Sequence, residues 1–277
     1  MKSKNLEKKT ISNFGLEWRK FDQSSVSNEE LNKIFKNYFK LFPEKFLTKK
    51  SIGLDIGCGS GRWSKFILPL VKKLYMIDAS YNSVVTSRKN LINFKNKKIF
   101  QKNIYSMNFR KNSFDFVYCL GVLHHINNIE IALKKINQIL KKNSPFLIYL
   151  YYAFDNKPLY FKFIWKISNL IRILVSKFPF VIKSFICDIL AFFIYWPCAR
   201  ISKILSLINI SVTNFPLSYY KECSFYTMRT DSMDRFGTQI ERRFTKNEII
   251  KLLKKNGFNK IKFSNHAPYW ICVCYKK

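Results

Sequence analysis

The sequence predicts an α/β fold, and two observations carry that reading. The first is SIGLDIGCGSGRW, residues 51–63, where an apolar run over Ile52–Ile56 delivers glycines at alternate positions, Gly57, Gly59 and Gly61, and then restarts as a helix. Glycine has no Cβ and tolerates positive φ, so the backbone can turn sharply there and lay its N–H groups against a bound molecule. Such a turn places the ligand at the carboxyl end of the strand. The second is the order of the segments beyond the turn: apolar runs at 73–78, 98–102, 114–120 and 146–152 alternate with helical patterns, as strands joined by helical crossovers do. With 277 residues, 48% hydrophobic and 17% aromatic, the chain holds enough apolar material for a sizeable core and is no disordered segment.

Forty-nine Lys and Arg against 17 Asp and Glu give a formal charge of +32. Lysine far outnumbers arginine, and Asn, Ile and Phe abound, as an AT-rich coding sequence tends to produce. The lysines are scattered with no long like-charge block, so a general basic surface is favoured over a dedicated polyanion site, and nucleic acid is not the favoured partner. None of the seven cysteines forms a Cys-x-x-Cys pair, and three histidines offer no zinc spacing, so no metal is expected. The opening MKSKNLEKKT has no apolar core; the expected location is the cytoplasm, with contact at the inner face of the membrane as an alternative.

Residues 1–48 read as an N-terminal helical cap. Phe14, Trp18 and Phe21 form a stripe, and Ser27 with Glu30 opens a second helix ended by Pro43. The stripe either packs on the main domain or forms a lid, with Trp18 or Arg19 reaching a ligand. The core, 49–156, starts with the glycine turn. Its spacing departs from the dinucleotide pattern G-x-G-x-x-G, because the third position is Arg62. The pattern is acidic-x-G-x-G-x-G, with Asp55 as the acid. Asp78 then ends the second strand, where a carboxylate can accept hydrogen bonds from both hydroxyls of a ribose.

The Asp55 and glycine pattern resembles motif I of the class I S-adenosylmethionine (SAM) dependent methyltransferases. The segment SFDFVYCLGVLHHI, 113–126, resembles the motif IV region of the ubiquinone/menaquinone-type, methyltransferase type 11-like members. The resemblance covers about residues 50–152 and resumes at the C-terminus. It implies a doubly wound, Rossmann-like, seven-stranded sheet whose final strand is antiparallel and inserted at the edge. It also implies SAM as cofactor and S-adenosylhomocysteine as product. Gly57, Cys58, Gly59 and Gly61 would admit the methionine end, and Asp55 would brace the turn or meet the ammonium. Asp78 with Ala79 would take the ribose, Asn103 with Ile104 the adenine, and Leu120 would line the cofactor. An aspartate often stands where this chain has Asn103, which can accept the adenine bond without the charge. The pair His124 and His125 offers one candidate general base, His125, although such pairs often only orient the loop. Tyr151 and Tyr152 lie where an acceptor would enter.

Residues 157–243 exceed a minimal domain of this class and read as a helical insertion after the fifth strand, broken near Pro179 and Pro197. Its longest uncharged run, 189–199, is far shorter than the roughly 20 residues a spanning helix needs. Three readings are open: a substrate cap, favoured; a homodimer interface; and a helix lying in a membrane interface. The stretch 224–244 reads as a polar, aromatic loop whose Tyr226, Arg229 and Arg235 would suit a carboxylate or phosphate. Residues 244–277 complete the core with a Thr245-capped helix and two strands. The function expected is methyl transfer to a small-molecule, glycan or lipid-precursor acceptor at oxygen. The alternatives are an RNA (tRNA) methyltransferase and a non-catalytic SAM-fold partner protein.

Overall fold

A computed structural model describes residues 2–277. In chain order its elements are α1 (Lys2–Lys20), α2 (Asn28–Phe39), β1 (Ile52–Ile56), α3 (Ser64–Ile67), β2 (Lys73–Asp78), α4 (Tyr81–Asn90), β3 (Lys97–Gln101), β4 (Phe116–Leu120), α5 (Ile129–Ile139), β5 (Pro145–Tyr149), α6 (Leu159–Val175), α7 (Phe180–Leu190), α8 (Trp196–Leu207), α9 (Phe225–Gly237), α10 (Lys246–Lys255), β6 (Phe258–Phe263) and β7 (Ile271–Lys276). The chain divides into two compact units, one of residues 1–23, 31–153 and 240–277, the other of 24–30 and 154–239. The helical lead-in is therefore shared: α1 and most of α2 belong to the sheet's unit, and the start of α2 to the second.

The first unit holds a seven-stranded sheet in the order β3-β2-β1-β4-β5-β7-β6. The first five strands are parallel, and β7 runs antiparallel to both its neighbours. β7 enters between β5 and β6, which corrects the expectation that it sits at the edge. Its run ICVC is buried throughout, as an interior strand requires, whereas β6 (FNKIKF) carries the lysines that suit an edge. Strand periodicity sorts the core onto two faces. Leu54, Val117, Cys119 and Phe146 pack with α5 and α10, while Met76, Phe116, Tyr118 and Leu147 pack with Trp63, Ile67 and Phe39. Cys272 and Cys274 share the first of these faces, as their spacing predicts. Thr245 caps α10 in a full capping box with Glu248.

The second unit departs from expectation twice. The stretch read as a loop forms α9, because Ser224 Oγ accepts from Thr227 N and a stripe of Met228, Ser232, Met233 and Phe236 is buried at helical spacing. Glu30 contributes to this: rather than turning back on Ser27, its carboxylate accepts from Ser224 N, Ser224 Oγ and Thr227 Oγ1 at 2.9, 3.1 and 2.7 Å. Pro197 also fails to break the helix. Residues Ala191–Tyr195 form a π turn, and Trp196 N donates five residues back to Ala191 O. A wider turn makes room for a ring that cannot fit the regular ladder. α7 and α8 are thus one helix, Phe180–Leu207, of 28 residues.

Candidate functional site

The sheet order reverses between β1 and β4, which makes the carboxyl ends of these strands the switch point where α/β folds bind ligands. The glycine turn stands there. Gly57 N and Cys58 N both donate to Ile77 O, at 2.8 and 3.1 Å, tying the turn to β2. Gly59 has φ of +53°, and a Cβ there would lie 2.8 Å from Trp18 Cε2. The glycine is therefore required on two counts, backbone and space. Gly121, with φ +80° and directly after Leu120, is the opposite case: a Cβ there would meet nothing within 4 Å. The switch point is open on that side.

Alternation along β1 turns Asp55 away from the face carrying Leu54 and Ile56 and pairs it in register with Tyr118. Asp55 Oδ2 accepts from Ser64 Oγ at 2.6 Å, and Ser64 Oγ lies 2.8 Å from the Tyr118 hydroxyl. Burial pushes the Asp55 carboxyl from its ordinary 3.8 up to about 7, against these hydrogen bonds. Asp55 thus holds Ser64, the first residue of α3 beyond the glycine turn. The Cys58 thiol is buried, which raises it well above its usual range, and it lies 4.0 Å from Ser87 Oγ.

Asp78 closes β2 and reaches across to the turn. Its Oδ2 accepts from Gly59 N at 3.0 Å and its Oδ1 from Ser80 N at 2.8 Å. Burial raises its pKa, and the Ser80 and Gly59 bonds oppose the shift. Ala79 follows it, its carbonyl 3.4 Å from Gln101 Nε2. Asn103 Oδ1 accepts from Tyr105 N at 2.9 Å, so this side chain caps the turn that begins at the buried Ile104.

α1 supplies the cover. Its Gly15 lies against Ser80, and the Trp18 indole lies over Gly59. Arg19 is exposed at the helix end. It is Arg62 whose guanidinium stacks on both Trp18 and Trp63, at 5.2 and 4.2 Å from the ring centroids. Asn90 Nδ2 donates to Asp22 O and Ser60 O at 2.7 and 2.9 Å, fastening the chain after α1 to the turn. Sequence reasoning missed Arg62, Asn90 and Ser64. Arg62 adjoins the glycines, a signal that could have singled it out; the other two carry no local signal.

His125 Nδ1 lies 2.6 Å from Ile240 O, and its ring packs on Phe14. His124 is fully buried and stacked on Tyr151 with ring centroids 3.8 Å apart. Burial first, and then His125, Arg243 and Arg242, push its imidazole well below the ordinary range. The pair thus holds the returning segment, whose Arg242 N donates to His124 O. Tyr152 forms a bridge with Phe244 and packs on Tyr269. Tyr226, Arg229 and Arg235 lie in α9 of the second unit. There Arg229 grips Asp188 with two bonds of 2.9 and 2.8 Å, and Arg235 Nη2 donates to Ser168 Oγ at 3.1 Å. Among the described residues no group of His, Cys, Asp and Glu could hold a metal ion.

Comparison with known proteins matches residues 54–148 to the family model described as a methyltransferase domain. The uncharacterized methyltransferase YcgJ of Bacillus subtilis is 28% identical over 36% of this chain and 40% of its own length. Demethylmenaquinone methyltransferase of Staphylococcus aureus is 26% identical over 44% of this chain and 52% of its own. The chain thus spans about half the length, or less, of these curated relatives. Among solved structures, a candidate methyltransferase of Bacillus halodurans shares the fold at TM-score 0.51 and 15% identity, covering 85% of this chain and 71% of that one.

Proposed function

From the match of residues 54–148 to the methyltransferase-domain model, we propose that this chain is a SAM-dependent methyltransferase acting at an oxygen of a small molecule or of a lipid or glycan precursor. One observation carries the cofactor: a carboxylate, Asp78, stands at the tip of β2 with both oxygens turned to the N–H groups of Gly59 and Ser80, beside the switch point. Ribose hydroxyls donating to those oxygens would add a matched pair of donors to the two backbone bonds. The open side of Gly121 leaves room at the end of β4. The residues fit the group.

SAM, when bound, supplies a methyl carbon activated by its sulfonium. What the chain contributes is alignment, exclusion of water and removal of a proton from the acceptor. Trp18 over Gly59, held by Arg62, is placed to exclude water from the methionine end. Asn103, occupied with Tyr105 N, keeps a second lone pair for an adenine amino group. The exit of β4 reads Cys119-Leu120-Gly121-Val122 in place of the Asn/Asp-Pro-Pro-Tyr/Phe motif that amino methylases of bases carry there, which disfavours a base amino group as acceptor.

The test is calorimetric titration with SAM and with S-adenosylhomocysteine, beside Asp78→Ala. Micromolar binding weakened at least tenfold in the variant is expected, since bonds to a charged acceptor contribute about 1.5–3 kcal/mol. Unchanged affinity in Asp78→Ala would overturn the site. Tritium transfer from labelled SAM into extracted lipids and small molecules then tests the acceptor class; label appearing only in RNA would favour the tRNA reading, and binding with no transfer a partner protein.

A further inference from the structure

The second unit has its polarity reversed. Along the helix Phe180–Leu207 the buried residues are Lys183, Ser184, Cys187, Ala191, Tyr195, Ala199 and Ser202, which from Ser184 onward recur every three or four positions on one stripe. The opposite stripe presents Val181, Phe185, Ile189, Phe193, Ile204 and Leu207 to the outside, with Phe185 67% and Phe193 69% exposed. In α6, too, Arg172 is buried, together with Val175, while Leu159, Phe163, Leu170 and Leu174 face out. A helix in water buries its apolar stripe. Apart from Val175 and Tyr195 the inward residues are polar or small, and the two cations among them are bonded inside: Lys183 Nζ donates to Gly237 O and Arg172 Nη1 to Thr238 O at 2.9 Å, while Ser232 Oγ of α9 donates to Cys187 O at 2.8 Å. Small and bonded polar residues within, aliphatic and aromatic residues without, is the arrangement that suits apolar surroundings.

We propose that this outward face of α6 and of the α7–α8 helix is a membrane-docking surface that inserts into the interface of an anionic lipid bilayer. Charge selects the occupant. From residue 159 to 207 the chain has one carboxylate, Asp188, and Arg229 holds it. The same stretch carries Lys162, Lys166 and Lys177, whose long stems place ammonium groups at the level of lipid phosphates while the apolar stripe enters the acyl boundary. A second copy would set two cationic rims against each other, and nucleic acid would leave the apolar face wet. The helix is long and apolar enough to cross a membrane, with mean hydropathy 1.6 over its most apolar window, of which 28% is buried. One-sided insertion is assigned instead because the inward stripe is covered: Lys183, Cys187 and Asp188 meet Gly237, Ser232 and Arg229 of the polar α9 in antiparallel register.

The inference stands apart from methyl transfer and is tested without it. The full chain is floated on density gradients with phosphatidylcholine vesicles, with and without phosphatidylglycerol, at low and high salt. The expected result is flotation with the anionic vesicles that persists at high salt and ends with detergent. Phe185→Glu with Phe193→Glu should leave the melting curve intact and lower partitioning at least tenfold. Lys166→Glu with Lys177→Glu should remove the preference for anionic vesicles. The proposal is overturned if the wild type stays with the soluble fraction, if salt alone releases all of it, or if the phenylalanine variant floats unchanged. It is equally overturned if light scattering shows a dimer that the phenylalanine variant splits, for then a second copy covers the face.

Discussion

Replacing Asp55 by Asn should flatten the pH dependence of folding between pH 5 and 8. Asp55 is 2% exposed, and burial raises its carboxyl from 3.8 to about 7. A raised pKa means that the folded chain keeps a proton which the unfolded chain releases. The stability this group contributes is fully present below about pH 4 and is lost as pH rises through 7. A shift of about three units at 1.36 kcal/mol each is at most about 4 kcal/mol. At about 2 °C per kcal/mol for a chain of this size, the limit is about 8 °C in Tm.

Asparagine has no proton to lose and keeps an oxygen for the Ser64 hydroxyl. The assay is thermal melting of both proteins from pH 5 to 8. The variant should gain several degrees on the wild type as pH rises. Parallel curves would refute the buried, protonated brace. Calorimetry at pH 8 separates brace from ligand contact: SAM affinity within about threefold of wild type fits a carboxyl engaged with Ser64 and Tyr118, and a loss beyond tenfold would put Asp55 on the ligand.

Three further outcomes are expected. His124→Phe keeps a ring on Tyr151 and removes a group that resists protonation when folded; wild-type stability from this group is present above about 6.5 and lost as pH falls, so the variant's Tm should decline less between pH 6.5 and 4.5. Gly59→Ala sets a methyl 2.8 Å from Trp18 in a left-handed backbone, costing about 1–2 kcal/mol and weakening SAM binding at least tenfold by calorimetry. Adding Trp18→Ala to Gly59→Ala should recover part of that affinity if the clash is the cause, and none if the backbone alone is at fault.

The core is legible in the sequence because its signals are local. Gly57, Gly59 and Gly61 stand where the backbone takes φ of 75°, 53° and 79°, a demand that a sequence displays directly. The strands can be placed to within a few residues because each is an apolar run bounded by polar turns. Asp78 can be singled out because its place, the tip of the second strand, is defined by order along the chain. The features that escape depend on partners distant in sequence. Ser64 on Asp55, Asn90 on Asp22 and Ser60, and Arg62 on Trp18 are contacts that no spacing rule proposes.

The second unit resists sequence reading for a different reason. Period and polarity are separate signals, and reading helices from apolar stripes assumes that the apolar side faces the protein. In α9 the stripe that turns inward mixes Thr227, Thr230 and Ser232 with Met228 and Met233, so a helix passes for a polar loop. In α7–α8 the charges that interrupt the apolar run, Lys183 and Asp188, lie on the inward side, so counting uncharged residues along the chain understates the apolar length of the outer face. Counting by face restores it: between Val181 and Phe193 the outward positions carry no charge. The same reversal that hides the helix from a linear count is what requires an apolar environment outside it. A soluble cap packed on its inner side by α9 and residues 218–222 would leave Phe185, Phe193 and Leu207 in water for no structural return. Each Å² of that surface covered by lipid instead contributes about 25 cal/mol toward docking.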